Sequence, residues 1–254
     1  MDTEGDHDEG AAGNGNGRQT LSEYVSERRL EAGIFVLRMS TILHGLLALV
    51  PFFLRPADAY QRCLVSYIAV SAFRLSQRVT GLGLNAECIQ RILSEDSGHY
   101  LFFCFLFATQ NFAGIVVLIP ICLFSVLHSL TFVRKLHEAT GSVPSVVMNS
   151  ITTLFNYQQH LLMVSANTEI MLMLLTIMGV FGGTFSIFVP FMYYRFLCMR
   201  YTSQRNPYSQ YAFQSLRLVV DHTCTHPRCP NVVRRLLQAG VRMAARLAPQ
   251  RMAG

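Results

Sequence analysis

Few side chains in this sequence have the type and position needed for chemistry, and the most suggestive are ionisable residues inside apolar stretches. His44, His128 and Glu169 each lie in such a stretch. Because an ionisable group is costly inside a bilayer, those found there commonly line an ion or proton path or pair with one another. The three residues are therefore candidate intramembrane polar sites.

Two of these residues also have a structural interpretation. His44 could be a histidine that is hydrogen-bonded inside a helical bundle. Glu169 is intramembrane if its helix begins near His160. If Asn167 instead caps that helix, Glu169 lies in the first turn, where the helix dipole stabilises a carboxylate. The sequence leaves both positions of Glu169 open.

A second group of residues has the atoms of a metal site. His222, Cys224, His226 and Cys229 place two imidazoles and two thiols within residues 222–229. Structural zinc sites usually take two ligand pairs separated by a longer loop, and this spacing is too short for that arrangement. We therefore expect no metal and no other cofactor.

Acid–base chemistry is the remaining possibility, because Glu95 and Asp96 precede His99. These acids stand at the start of an apolar segment, where a helix N-terminus favours negative charge. The sequence has no nucleophile elbow, no phosphate-binding loop and no His-Glu-x-x-His motif. We therefore expect a protein that is not an enzyme, with no catalytic residues.

The elements that must position these residues are apolar runs long enough to enter a membrane. Residues 97–133 contain no Lys, Arg, Asp or Glu. One crossing takes about 20 apolar residues, so this run is too long for one upright helix and barely long enough for two. A polar break at residues 110–114 leaves two geometries, a hairpin with short arms or a long tilted helix after a partial one.

Three further segments extend this interpretation. Residues 34–54 are the first membrane candidate, and residues 161–199 form an apolar block that is broken at 179–183. Residues 63–73 are apolar but short, which indicates an interfacial helix or the shallow arm of a hairpin. With 51% hydrophobic and only 14% charged residues, the sequence predicts an all-α polytopic membrane protein with helical hairpins and C-terminal amphipathic helices.

Charge divides the chain into three regions. Residues 1–31 hold eight acids and three arginines, a net −5, whereas residues 195–254 hold ten arginines and Asp221, a net +9. We expect a disordered acidic tail at residues 1–19, a membrane-embedded helical domain at 20–201 and a basic amphipathic region at 202–254. Thr20 and Glu23 form a capping-box pattern that opens a short helix extending through Glu31.

The basic region ends in a predicted amphipathic helix over residues 231–248. Its apolar and basic residues fall on opposite faces, which is typical of a helix lying on an anionic membrane surface. A helix packed on its own protein is the alternative. The predicted membrane-surface site consists of Arg234, Arg235, Arg242, Arg246, Leu236 and Leu237. Nucleic acid is not expected as a partner, because no recognised nucleic-acid motif accompanies the charge.

Several blocks of the sequence resemble one family when they are taken in order. They read Glu95-Asp96-Ser97-x-His99-Tyr100-Leu101, LFSVLHSLTFVRK, Asn167-Thr168-Glu169-Ile170, FMYYRFLCMRYTSQRNPY and Cys229-Pro230-x-Val232-Val233-Arg234-Arg235-Leu236. This order resembles the eukaryotic transmembrane protein 33 family, which includes Krüppel homologue 2 and yeast pore-membrane relatives. The resemblance spans about residues 30–250 and leaves the acidic tail uncovered.

The resemblance implies a multi-pass protein of the endoplasmic reticulum membrane and nuclear envelope with no known catalysis. Members of the family are associated with reticulons and tubule shape, with nuclear pore assembly and with the unfolded-protein response. We therefore expect an adaptor or membrane-shaping factor whose partners are the lipid bilayer, reticulon-like and other membrane proteins, and nucleoporins. The arginine-rich tail predicts a cytosolic C-terminus. The alternative is a small-solute or ion transporter that uses His44, His128 and Glu169.

Overall fold

The computed structural model describes residues 18–50, 54–79, 86–110, 112–203, 206–225, 230, 231, 234, 235 and 238, with the backbone alone for 86–89. The secondary-structure elements among these described residues are ten α-helices, in agreement with the predicted all-α class. They are α1 (Leu21–Glu27), α2 (Arg29–Leu49), α3 (Pro56–Val79), α4 (Ala86–Ser94), α5 (Asp96–Ala108), α6 (Ile115–Thr140), α7 (Ser145–Asn156), α8 (Gln158–Phe181), α9 (Phe188–Thr202) and α10 (Tyr208–Thr225).

Six of these helices pack into a closed ring. Around it, α2 contacts α3, α3 contacts α5, α5 contacts α9, α9 contacts α8, α8 contacts α6, and α6 returns to α2. We call this arrangement the six-helix ring. The arms of the two outer hairpins, α2–α3 and α8–α9, are neighbours, whereas α5 and α6 lie on opposite sides of the ring.

The six ring helices alternate in direction. Arg78, near the end of α3, bonds to Glu95 just before α5 begins, and Gln61 near the start of α3 donates to the backbone oxygen of Ala108 at the end of α5. We call the end where α2, α5 and α8 begin the terminal end, and the opposite one the turn end. The chain enters and leaves the ring at the terminal end, and α1, α4 and α7 contact ring helices there.

The interior of the ring is packed mainly with aromatic rings from α5 and α9. Phe103 and Phe196 are fully buried and their ring centroids lie 5.0 Å apart. Phe107 and Tyr193 continue the stack at 5.6 Å. Burying one such ring contributes about 1.5–3 kcal/mol to stability, so this aromatic core joins two helices that are each shorter than a membrane crossing.

The outward faces of the ring are apolar. Val36 on α2, Met178 on α8 and Phe181 at the end of α8 are 64%, 66% and 83% exposed. Three helices, α2, α6 and α8, are long and apolar enough to cross a bilayer. A helix that is apolar on its exposed side as well as its buried side is suited to lipid rather than to water.

The long uncharged run forms a partial helix followed by a long one. α5 has 13 residues and α6 has 26, which correspond to about 20 Å and about 39 Å at 1.5 Å per residue. The predicted break lies between them, and Gly114 is the N-cap of α6. The partial helix followed by a long one is therefore confirmed, and the tilt of α6 in the membrane stays a prediction. Asn111, within the break, lies outside the described residues.

Two predicted boundaries need correction. The first membrane helix is α2, which begins at Arg29 and ends at Leu49, earlier at both ends than residues 34–54. Residues 63–73 belong to the 24-residue α3, whose inner face is buried against α2 and α5. α3 is therefore the arm of a hairpin rather than an interfacial helix, since burial in the ring extends the helix beyond its apolar centre. The shallow depth of this arm stays a prediction.

The predicted capping box at the N-terminus is confirmed. The Thr20 backbone N–H donates to Glu23 Oε2 at 3.0 Å, and the Glu23 backbone N–H donates to Thr20 Oγ1 at 3.3 Å. Because the Thr20 backbone bonds to the charged carboxylate, the pKa of Glu23 lies below its ordinary value. The helix ends at Glu27 rather than Glu31, because the chain turns at Arg28 into α2.

We expect Gly45 to set the close approach of α2 to α6. A Cβ atom at this position would collide with Cys122 Sγ, whereas nothing lies within 4 Å of a Cβ at Gly33 on the same helix. Gly45→Ala should therefore destabilise the protein by about 1–3 kcal/mol. Gly33→Ala should be neutral or stabilise it by up to about 1 kcal/mol. Denaturant unfolding in detergent micelles measures both.

Cys122→Ala provides the matching rescue, because it removes the sulfur that the new methyl group meets. The Gly45→Ala, Cys122→Ala double variant should recover most of the stability that Gly45→Ala loses. If Gly45→Ala lowers the free energy of unfolding equally with and without Cys122→Ala, the contact between residues 45 and 122 does not set the distance between α2 and α6.

Candidate functional site

The most deeply buried charges of the structure meet where three ring helices converge. Arg200 on α9 and Glu169 on α8 are each 1% exposed. Arg200 Nε donates to Glu169 Oε2 at 3.1 Å. Arg200 Nη1 donates at 3.1 Å to Oδ1 of Asp96, which is the first residue of α5. We call Asp96, Glu169 and Arg200 the charge cluster.

Neighbouring hydroxyl groups bind the carboxylates of the cluster. Tyr100 donates to Glu169 Oε1, and Ser203 Oγ donates to Asp96 Oδ1 at 2.9 Å. Tyr193 donates to the Glu169 backbone oxygen at 2.8 Å. The guanidinium carbon of Arg200 lies 5.0 Å from the centre of the Tyr100 ring, which adds a cation–π contact. The cluster is a hydrogen-bonded cross-link between α5, α8 and α9.

This arrangement decides between the two positions left open for Glu169. α8 begins at Gln158, so Asn167 lies inside the helix and does not cap it. The capping interpretation is wrong, because the polar residues before Asn167 continue the helix rather than end a loop. Glu169 is a buried carboxylate in the middle of α8, and it is paired with Arg200.

Sequence reasoning did not identify the partner of Glu169. Arg200 lies in a segment of mixed tyrosines and arginines that is typical of a membrane surface, and Asp96 stands at a helix start, where an acid is ordinary. No spacing along the chain links positions 96, 169 and 200. The one available signal was that Glu169 is the sole acid of its apolar block, so a buried position would require a cation from elsewhere.

A basic cavity opens beside the charge cluster at the terminal end. It has a volume of about 430 Å³, and an adjoining cavity of about 320 Å³ shares part of its wall. The residues common to both walls are Arg38, Arg74, Arg78, His128 and Thr131. We call the two together the basic cavity, because four of these five side chains are basic.

His128 lies between two arginines in this cavity. Arg74 Nη1 donates to His128 Nε2 at 2.9 Å, and Arg38 Nη1 approaches the His128 backbone oxygen at 3.5 Å. An imidazole nitrogen that accepts a hydrogen bond belongs to a neutral ring. His128 is thus a neutral member of an otherwise cationic wall.

The three candidate intramembrane residues do not share one site. His44 Nδ1 lies 2.8 Å from the backbone oxygen of Ser40, one turn back in its own helix. His128 lines the basic cavity, whereas Glu169 belongs to the charge cluster and neither Glu169 nor His44 lines either cavity. His44 is therefore hydrogen-bonded within its own helix, and a shared transport path through the three residues receives no support from their placement.

The remaining candidates are placed only in part. Across the part of the chain that the structure describes, no three His, Cys, Asp or Glu side chains are arranged to hold a metal ion. His226 and Cys229 lie outside the described residues. Of the predicted membrane-surface site, Arg235 is exposed and Arg234 is partly buried. The four that lie outside the described residues are Leu236, Leu237, Arg242 and Arg246.

Comparison with known proteins identifies related sequences over nearly the whole chain. Residues 14–250 match the sequence model of a family described as Transmembrane protein 33/Nucleoporin POM33. Transmembrane protein 33 of Homo sapiens is 35% identical over 230 residues, which cover 89% of this chain and 93% of the human protein. The Transmembrane protein 33 homolog of Caenorhabditis elegans is 33% identical over 233 residues, 91% of this chain and 86% of the nematode protein.

Krueppel homolog 2 of Drosophila melanogaster is 29% identical over 231 residues, which cover 91% of this chain and 83% of the fly protein. No solved structure matches this chain. The family resemblance that the sequence blocks indicated is therefore confirmed.

We predict that the charge cluster stabilises the ring. Glu169→Gln leaves the Arg200 charge buried beside one carboxylate fewer, and breaking a buried pair in this way costs about 3–5 kcal/mol. Asp221→Asn is the matched control, since the Arg217–Asp221 pair is 71% and 62% exposed and such pairs contribute about 0–1 kcal/mol. Thermal unfolding in detergent measures both variants.

Combining Glu169→Gln with Arg200→Met removes the unpaired cation. The double variant should be more stable than Glu169→Gln alone. If Glu169→Gln unfolds at the wild-type temperature, the cluster is not a structural cross-link.

Proposed function

We propose that this chain, which belongs to the Transmembrane protein 33/Nucleoporin POM33 family, shapes membranes and holds partner membrane proteins without catalysing a reaction. It does so as a multi-pass protein of the endoplasmic reticulum and nuclear envelope. The observation that carries the proposal is the one-sided build of the molecule. Short amphipathic helices gather at the terminal end of the ring, and the turn end has only brief connections.

The helices at the terminal end present apolar side chains outward. On α7, Val146 is 75% exposed, and on α10, Leu218 and Val219 are 70% and 61% exposed. α10 begins where α9 leaves the ring and packs against α8. Amphipathic helices of this kind lie in the headgroup region, with their apolar faces buried about 5–10 Å. Added volume in one leaflet bends a membrane toward that leaflet.

Unequal helix lengths support the same conclusion. α5 and α9 have 13 and 15 residues, so they extend about 20–23 Å, less than a hydrocarbon core of about 30 Å. α2, α6 and α8 are long enough to cross it. A bilayer accommodates short helices by local thinning, which deforms the membrane on the α5–α9 side of the ring.

The charge distribution supports a cytosolic terminal end. Arg28 and Arg29 lie at the start of α2, and Arg134 and Lys135 lie six and five residues before the end of α6. Basic residues near the ends of membrane helices favour the cytosol. Because the chain enters and leaves the ring at the same end, both tails lie on the cytosolic side in this proposal. The basic region at 202–254 then faces anionic headgroups.

The proposed partners follow from family membership and from the exposed faces. Nucleoporins are supported by the family description, which names a nucleoporin. Reticulon-like and other membrane proteins, and an influence on the unfolded-protein response, are supported by the family resemblance of the sequence blocks. The apolar outward faces of α2 and α8 are the described surfaces that could hold another membrane helix.

Reconstitution tests membrane shaping. Purified protein in liposomes of phosphatidylcholine and phosphatidylserine should convert large vesicles into tubules or small vesicles, as seen by electron microscopy. Val146→Asp with Val219→Asp should reduce this conversion, because charge is costly in the acyl region.

Thr152→Asp with Gln214→Asp is the matched control, because these positions lie about 120–140° around their helices from Val146 and Val219. It adds the same charge at exposed polar positions of the same two helices and should convert vesicles as the wild type does. Equal conversion by the two variants would show that the apolar faces of α7 and α10 do not bend the membrane.

Protease accessibility tests the orientation. In sealed microsomes, tags at the N-terminus and the C-terminus should both be removed by added protease, because both tails emerge at the terminal end. A tag placed between α8 and α9 should be protected. Protection of the C-terminal tag would overturn the orientation. Both tails lie on one side only if the chain crosses the membrane an even number of times, so opposite results for the two terminal tags would overturn that arrangement.

A further inference from the structure

We propose that the basic cavity binds a phosphoryl group, supplied either by the headgroup of a membrane phospholipid or by free phosphate. The site lies between α2, α3 and α6, and the guanidinium groups of Arg38 and Arg74 are its main ligands. It is separate from the basic C-terminal region and does not depend on the membrane-shaping proposal.

The first argument is uncompensated charge. Among the described residues, no carboxylate lies within ion-pair distance of Arg38 or Arg74, although both side chains are partly buried. The acids on that side have other partners: Glu95 bonds to Arg78, and Asp96 bonds to Arg200 and Ser203. Asp96 also lines the larger cavity, where Arg200 and Ser203 already bind its carboxylate, and Glu31 lines the adjoining cavity from the exposed first turn of α2. Cations removed from water need a counter-charge.

The second argument is unused hydrogen-bonding capacity. A guanidinium group carries five N–H donors in a planar fork. Arg74 uses one on His128 Nε2, Arg38 directs one to the His128 backbone, and the buried Arg38 Nε has no partner among the described residues. Two such forks facing one space match the oxygens of a phosphoryl group, which arginine binds through paired hydrogen bonds.

The third argument is the shape and position of the space. The volumes of about 430 and 320 Å³ fall within the range of ligand pockets, about 300–1,000 Å³. Val70, Leu127 and Leu162 line the larger cavity beside the basic residues and provide an apolar wall. Arg74 is five residues before the end of α3, about 7 Å from the terminal end, so the site lies near headgroup depth. An apolar wall beside a cationic one suits a phospholipid better than a free ion.

Titration of the purified full-length protein in an uncharged detergent tests the proposal. The probe is dioctanoyl phosphatidic acid, a short phospholipid with a phosphate monoester, and dioctanoylglycerol is the phosphate-free control. Calorimetry should show saturable binding of the first and none of the second. Inorganic phosphate is then added as a competitor. Displacement only at far higher concentration assigns the site to a lipid headgroup, and displacement at similar concentration assigns it to free phosphate.

Paired variants locate the binding. Arg38→Gln with Arg74→Gln removes both forks and should weaken binding by about 100-fold or more, since a hydrogen bond to a charged group contributes about tenfold or more in affinity. Arg55→Gln with Arg217→Gln removes the same charge from exposed positions that line neither cavity. It should bind as the wild type does.

If the Arg38→Gln, Arg74→Gln variant is not recovered folded, Arg74→Lys decides the question. This change keeps the charge and removes the planar fork, so binding should weaken by about tenfold. Wild-type affinity in Arg74→Lys, equal affinity in the two double variants, or no saturable binding of either phosphate compound would overturn the proposal.

Discussion

The ring depends on the buried ion pair between Arg200 and Glu169. Its groups come from the end of α9 and the middle of α8, and Asp96 adds the start of α5. In a low-dielectric interior, neither Arg200 nor Glu169 is tolerated without the other, so the three helices can meet in only one register. The aromatic core of α5 and α9 continues from this point, because Tyr100 contacts both Glu169 and Phe103. The short α5 is thereby held inside the ring.

The structure uses buried arginines in two contrasting ways. Arg200 is surrounded by carboxylates and aromatic rings, and it joins helices. Arg38 and Arg74 converge on a neutral histidine and have no carboxylate partner among the described residues. In the first arrangement two carboxylates balance the Arg200 charge, so the cluster is structural even though the buried Arg200 Nη2 has no hydrogen-bond partner among the described residues. The second leaves charge and donors directed into a cavity, which is the condition expected of a binding site.

The one-sided distribution of helices connects the fold to the proposed function. Every second ring helix returns the chain to the terminal end, so the longer connections and their amphipathic helices collect at that end of the ring. The turn end joins its helices through short segments and carries few basic residues in the part of the chain described, chiefly Arg55 and Arg62. The proposed orientation and the proposed bending both rest on that asymmetry.

Residue types by themselves determined the class of protein, because long uncharged runs flanked by arginines are suited to a bilayer core and its charged surface. The capping box at Thr20 and the breaks at Gly114 and after Phe181 were equally readable, since each depends on neighbours along the chain. Only the tertiary structure decided the partner of Glu169, the full length of α3 and the meeting of Arg38, Arg74 and His128. These features depend on contacts between positions far apart in sequence. A charged residue in an apolar run has the same neighbours along the chain whether it forms an ion pair, caps a helix or lines a cavity. Which of these environments a charged residue has is decided by how the six ring helices pack, and that packing cannot be read from any local stretch of sequence.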